Sequence, residues 1–174
     1  MSQRDSGYQR KERDLYETPE WVTMALVPHL PLEQGETIYE PAAGSGKMVA
    51  ALAKSGFAVV ADDIHDGRDF LESRGYQMRA IVTNPPYVLA KEFIKHALYL
   101  TEHVGMVAML LRTDFDHAKT RANLFGNHPA FAKKVVLTKR IQWFEDSKGS
   151  PSFNHAWFIW DHRHQGAPTL AYGP

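Results

Sequence analysis

Residues 40–47 read EPAAGSGK, directly after the short apolar stretch Thr37-Ile38-Tyr39 and directly before a helical pattern running from Met48 to Lys54. An acid, a proline, small residues and two glycines between a strand and a helix make the kind of loop at which open α/β sheets take ligands. A phosphate-cradling P-loop requires glycine six positions before its lysine and serine or threonine after it. Those positions hold Pro41 and Met48, so that assignment fails twice. A dinucleotide fingerprint finds Gly44 and Gly46 but has Val49 at its third glycine, a weak match. The remaining assignment makes Glu40 an acid at the strand tip, with Gly44 and Gly46 letting backbone approach a ligand closely.

An acid in that place repels phosphate and attracts an ammonium or sulfonium centre. Seventeen residues after Gly46, the next strand (Phe57 to Ala61) ends in Asp62-Asp63, a position suited to gripping ribose hydroxyls. The expected ligand therefore has a ribose and a positive charge but no phosphate, three properties that S-adenosylmethionine combines.

Outward from this loop, short apolar runs alternate with helical patterns. Thr18-Pro19 reads as an N-cap followed by proline at the first helical position, opening a helix that stops near Pro28. Ala80 to Thr83 is a strand, and Ala90 to Glu102 a helix with Phe93, Ala97 and Leu100 on one stripe and Ile94 and Leu98 beside it. Val104 to Leu111 is apolar enough for a strand covered on both faces. Lys134 to Phe144 and Ala156 to Asp161 read as two strands joined by a polar loop. The fold class is thus α/β and Rossmann-like: a mostly parallel central sheet with an antiparallel last strand and helices on both faces. The expected boundaries are a flexible segment at 1–14, a single domain at 15–162 and a flexible tail at 163–174.

Composition fits this picture. At 174 residues, 44% hydrophobic and 23% charged, the chain can bury one core. No apolar run approaches the roughly 20 residues of a membrane span, and no secretory pattern precedes Leu15, so no membrane association is expected. The absence of cysteine removes disulfides and thiolate metal sites and fits a cytoplasmic location. His155, His162 and His164 come nearest to a metal pattern, but no acid supports one; no metal is expected, and a solvated tail accounts for them better. The net charge of zero conceals a gradient: seven basic and twelve acidic residues between Leu15 and Leu111, then eight and four between Arg112 and Lys148. The basic stretch, with Lys133, Lys134, Lys139 and Arg140, is either a polyanion footprint or a solvated face.

A second stretch, TNPPY at 83–87, ends a strand on Asn84 and adds two prolines and a tyrosine. Each proline fixes φ and lacks an N–H, and Pro86 pushes Pro85 toward extended geometry. The outcome is a stiff loop with bare carbonyls, an amide at one end and a ring at the other. It suits something flat that carries an amino group; a rigid turn with a packing tyrosine is the simpler alternative.

Taken together, YETP (16–19), EPAAGSGKM (40–48), ADDI (61–64), RDFL (68–71), TNPPY (83–87) and FNHAWFIWD (153–161) resemble the class I S-adenosylmethionine-dependent amino-methyltransferases. Their order is that of N6-adenine DNA methyltransferases of bacterial and phage type, and the resemblance runs from Tyr16 to Asp161. It implies that Tyr16 and Thr18 lie near the methionine end of the cofactor, and that Glu40, Ala42, Gly44 and Gly46 form its first loop. By the same resemblance Asp63 holds the ribose and Asp69 and Phe70 flank the adenine. Ala43 stands where the family usually has cysteine, a small-for-small change. No separate target-recognition domain is expected, since nothing after Asp161 is long enough.

For TNPPY the resemblance implies catalysis by Asn84, Pro85, Pro86 and Tyr87, with Asn84 also beside the cofactor. The Asn84 side-chain oxygen and the Pro85 carbonyl would accept the two N–H bonds of the target amine and localise its lone pair, an electrostatic effect of a few kcal/mol per group. Tyr87 offers a stacking face worth about 1–3 kcal/mol, and Phe153 is a candidate second wall. The target base must be flipped out or single-stranded to reach such a loop. The expected partner is nucleic acid, DNA foremost, with a protein partner supplying target recognition as an added possibility. RNA or protein-glutamine N-methylation, and a catalytically idle cofactor-binding subunit, remain open. Trp143, Trp157 and Trp160 are expected to be core and strand aromatics.

Overall fold

The computed structural model describes residues 16–74, 77–143 and 153–174. The segment at 1–14 and most of the polar loop between the last two expected strands lie outside the described residues. The elements in chain order are α1 (Glu20–Leu26), β1 (Thr37–Glu40), α2 (Lys47–Lys54), β2 (Ala58–Ala61), β3 (Ala80–Thr83), α3 (Ala90–Leu100), β4 (Met106–Arg112), β5 (Phe131–Leu137), β6 (His155–Asp161) and β7 (Thr169–Gly173), with short 3-10 turns between them.

The strands form one sheet in the order β2-β1-β3-β4-β6-β5-β7. β1 pairs in parallel with β2 and β3, and β3 with β4, so their carboxyl ends share one edge of the sheet. β4 reads MVAMLLR and is buried along Met106 to Leu111, which requires cover on both faces. Alternation divides it: Val107, Met109 and Leu111 pack on the side of α3, whose buried face includes Phe93, Ile94, Ala97 and Leu98, while Met106, Ala108 and Leu110 pack with Val22 and Leu26 of α1 and Leu52 of α2. Trp157 and Trp160 of β6 are fully buried, and their indole N–H groups donate to the carbonyls of Val22 (2.8 Å) and Leu124 (2.6 Å). They are core aromatics, as expected.

The antiparallel strand expected at Ala156 to Asp161 is β6, which lies between β4 and β5 and opposes both. Three expectations need correction. One further strand, β7, follows β6 and runs parallel to β5. β7 also occupies the tail expected to be loose at 163–174: Ala171 pairs with Val135 and packs on the α1 side, where Gly173 approaches the Ala25 side chain. Its glycine- and proline-rich flanks concealed it. β5 begins at Phe131, whose ring anchors among Phe125, Phe158 and Trp160, and it ends at Leu137, not Phe144. At α1 the N-cap position is held by Pro19, with no side-chain cap; Thr18 is buried instead.

Candidate functional site

At the carboxyl ends of β1, β2 and β3 lies a cleft of about 580 Å³, within the range of small-molecule sites. Nine of the ten residues expected around the cofactor line it: Tyr16, Thr18, Glu40, Ala42, Gly44, Asp63, Asp69, Phe70 and Asn84. Gly46 does not. It caps α2 at φ 81°, and a Cβ there would meet nothing within 4 Å, so glycine serves the left-handed turn rather than close approach to a ligand.

The first loop is tied down by the two acids that flank it. The Ala42 N–H donates to Glu40 Oε1 at 3.0 Å and the Gly44 N–H to Asp63 Oδ2 at 2.8 Å. Asp63 Oδ1 accepts the His65 N–H at 2.9 Å. Its neighbour Asp62 is engaged elsewhere, by the Tyr39 hydroxyl and the Arg68 guanidinium. Asp69 caps the next turn through the Leu71 N–H (2.9 Å), and Phe70 packs against Phe93 at 4.9 Å between ring centres. Lys47 and Glu17, 2.6 Å apart, tie α2 to the segment before α1.

Glu40 is 1% exposed. Burial raises its carboxyl to a pKa of about 8; the Thr83 hydroxyl and the Ala42 N–H oppose the shift and the Asp63 charge adds to it. Its Oε2 and the Thr83 hydroxyl oxygen are both buried and outside standard hydrogen-bond geometry with any described residue. Such a buried carboxyl on the wall of a cleft takes up its charge more readily when a cation lies beside it. The raised value also has a sign that can be tested. The folded state holds this proton more tightly than the unfolded chain, so the associated stability is complete below pH 4.5 and is lost as pH rises through about 8. Glu40→Gln, neutral at every pH, is expected to melt close to the parent at pH 5 and several degrees above it at pH 9. Equal melting temperatures at pH 9 would mean that Glu40 ionises without penalty.

Of TNPPY, Asn84 and Pro86 line the same cleft, whereas Thr83, Pro85 and Tyr87 do not. Thr83 ends β3 fully buried, and Pro85 is buried. The Asn84 amide N–H donates to the Tyr16 carbonyl at 2.9 Å, which fixes the amide plane and leaves Oδ1 as its acceptor end. Tyr87 opens the turn Tyr87–Leu89; its ring lies 5.8 Å from that of Tyr16 and its hydroxyl 2.8 Å from His155 Nε2. Trp143, half-buried, stands edge-on to both Tyr16 and His155 at 5.3 Å.

Phe153 is not brought to the cleft: its ring lies beneath the Arg112 guanidinium at 4.2 Å. His155 is the residue the sequence concealed. Expected in a solvated tail, it is 2% exposed at the head of β6. Burial, with the Arg112 charge added, lowers its pKa to about 4. Ile64, Val88 and Leu89 expose apolar surface along the rim of the cleft. Only their adjacency to Asp63 and to TNPPY could have flagged them.

No protein-family model and no curated protein matches the sequence. Solved structures do. A Listeria monocytogenes protein ascribed to the class I S-adenosylmethionine-dependent methyltransferases superposes with a TM-score of 0.58 at 11% identity, over 96% of this chain and 68% of that one. A modification subunit ascribed to a type I restriction enzyme of Vibrio vulnificus gives 0.63 at 14% identity, over 90% of this chain and 46% of that one. The 23S rRNA methyltransferase ErmE gives 0.53 at 15% identity, over 88% and 71%. This is the class I methyltransferase fold. The chain thus spans about half the length of the restriction-enzyme subunit and two thirds of the Listeria protein.

Proposed function

We propose that the protein transfers a methyl group from S-adenosylmethionine to an exocyclic amine, N6 of adenine in DNA. The observation that carries this reading is Asn84: its amide N–H is committed to the Tyr16 carbonyl, so Oδ1 is the end that meets an incoming N–H, on a loop stiffened by Pro85 and Pro86. S-adenosylmethionine supplies a methyl group on a sulfonium, which departs as a neutral thioether. Asn84 Oδ1 and the Pro85 carbonyl hold the amine and stabilise the charge it acquires; its surplus proton then leaves to solvent. Tyr87 supplies the stacking face. Asp63 accepts from the ribose, and Glu40 faces the cationic end of the cofactor. Because Glu40 ionises only near pH 8 in the free protein, cofactor affinity should tighten as pH rises toward that value.

The fold neighbours that act on nucleic acid, among them the restriction-enzyme modification subunit, support a nucleic-acid target. An RNA target is the second reading, favoured by the likeness to an rRNA methyltransferase. The deciding experiment incubates the protein with methyl-labelled cofactor and DNA, RNA or total protein, then digests the labelled fraction to the modified unit. Label in N6-methyladenine of DNA supports the proposal; label in RNA or in glutamine selects an alternative.

The basic footprint narrows. Lys134 is only 16% exposed and bonds Asp116 and the Thr113 carbonyl, so it is a structural cation; Lys133 sits within β5. Lys139 and Arg140 follow the carboxyl end of β5, at the same sheet edge as Asn84. Reversing Lys139 and Arg140 to glutamate should weaken binding of a DNA oligonucleotide and reduce the slope of log affinity against log salt by about 2. An unchanged slope would make this edge a solvated face.

A further inference from the structure

We propose that His155 is a positioning residue for Tyr87, holding the ring of the Asn84–Tyr87 loop in place through the bond between the Tyr87 hydroxyl and His155 Nε2. This rests on the amine-transfer reading above, in which the Tyr87 ring meets the target. The two residues are 68 apart in sequence and 2.8 Å apart in space. Their settings are unequal. Tyr87 begins a one-turn 3-10 segment closed by the Leu89 N–H to Pro86 carbonyl bond and followed by the exposed Val88 and Leu89, so the turn itself supplies little anchorage. His155 starts β6, in register with Arg112 of β4, in the middle of the sheet.

The imidazole is enclosed: 2% exposed, with the Trp143 ring edge-on at 5.3 Å and the Tyr87 ring tilted 33° at 6.2 Å. Burial and the Arg112 guanidinium keep it uncharged at neutral pH, with the Phe153 backbone and Asp114 opposing only in part. An uncharged ring has one acceptor nitrogen and one N–H, and Nε2 can bond the hydroxyl in either tautomer. The bond therefore joins the catalytic-loop aromatic to a buried strand held between two sheet neighbours. The Tyr87 hydroxyl points to the scaffold, so its work is orientation of the ring rather than proton transfer to a target.

The test is a double-mutant cycle. Tyr87→Phe keeps the ring and removes the hydroxyl; His155→Phe keeps a buried ring and removes the bonding nitrogen. Each should lower kcat for methyl transfer about five- to tenfold, the scale of one hydrogen bond, with S-adenosylmethionine affinity within twofold of the parent. The double variant should be no slower than the slower single, and His155→Gln, which restores a hydrogen-bonding group, should recover most of the rate. Losses that multiply in the double variant, or a folded Tyr87→Phe with the parent's kcat, would overturn the proposal. Should His155→Phe fail to fold, Tyr87→Phe against His155→Gln still decides. A readout independent of turnover comes from the ring-nitrogen NMR shifts of His155: an Nε2 shift that changes in Tyr87→Phe supports the bond, and identical shifts refute it. A protein that transfers no methyl group but shows that change would refute the amine-transfer reading and leave the contact standing.

Discussion

Asn84→Ala is expected to slow methyl transfer by about 10²–10³, the scale for deleting one preorganised polar group that acts on developing charge. The target amine is a poor nucleophile because its lone pair is shared with the ring. An acceptor aimed at its N–H draws the nitrogen toward tetrahedral geometry and stabilises the positive charge that arrives with the methyl group. The neighbouring groups remain: Pro85 and Pro86 hold the loop, and Thr83 stays buried at the end of β3. What the variant also loses is the 2.9 Å bond from the Asn84 amide to the Tyr16 carbonyl. A part-buried hydrogen bond of this kind contributes about 1 kcal/mol, or roughly 2–4 °C in melting temperature for a chain of this size. Cofactor affinity should shift by no more than a few-fold, since Glu40, Gly44 and Asp63 carry most of the proposed contacts. The two roles of the side chain can be separated. Asn84→Asp keeps an acceptor oxygen but cannot donate to Tyr16, and its charge would lie beside the proposed place of the cofactor's cationic end. It should retain more transfer activity than Asn84→Ala while loosening the segment around Tyr16. A folded Asn84→Ala that methylates at the parent rate would end the proposed mechanism, and one that melts far below the parent would return TNPPY to a structural turn.

What could be read from the sequence follows the range of the interactions. β4 was legible because six consecutive residues carry its burial on both faces, and α3 because its stripe repeats at helical spacing. The cleft was legible because its walls are local: Glu40 to Gly44, Asp63 and Asn84 follow the ends of β1, β2 and β3, and parallel pairing alone brings such ends to one edge, with Asp69-Phe70 joining them from the next turn. β7 was not, since its position depends on Val135 and Ala25, far away in sequence, more than on any pattern of its own. His155 was hidden for the same reason. Next to a polar stretch it looks solvated, and only the pairing of β6 with β4 buries it and turns Nε2 to Tyr87. Lys134 is the converse case: by composition it joined a basic patch, yet Asp116 and the Phe158 ring draw it into the structure.

The cofactor end of the cleft gives the second large effect. Asp63→Ala is expected to weaken S-adenosylmethionine binding by about ten- to a hundredfold, on the scale of a charge-assisted hydrogen bond plus the loop it supports. Asp63 is 9% exposed, and each of its oxygens already accepts one backbone N–H, from Gly44 and from His65. A carboxylate oxygen has a second lone pair, so these bonds aim the group at the cleft without exhausting it. Removing it deletes the proposed ribose acceptor and leaves two N–H groups to rearrange, one of them in the loop that the cofactor would touch. Asp62→Ala is the matching control: its carboxylate serves Tyr39 and Arg68 and does not line the cleft, so affinity should change much less. Asp63→Asn divides the two contributions, because an amide keeps one acceptor oxygen while giving up the charge and one backbone bond. Its affinity should fall between the parent's and that of Asp63→Ala. Calorimetric titration decides the matter. Unchanged affinity in a folded Asp63→Ala would remove this residue from the cofactor site, and equal losses in Asp62→Ala and Asp63→Ala would assign the effect to the general negative charge at the end of β2 rather than to a directed contact.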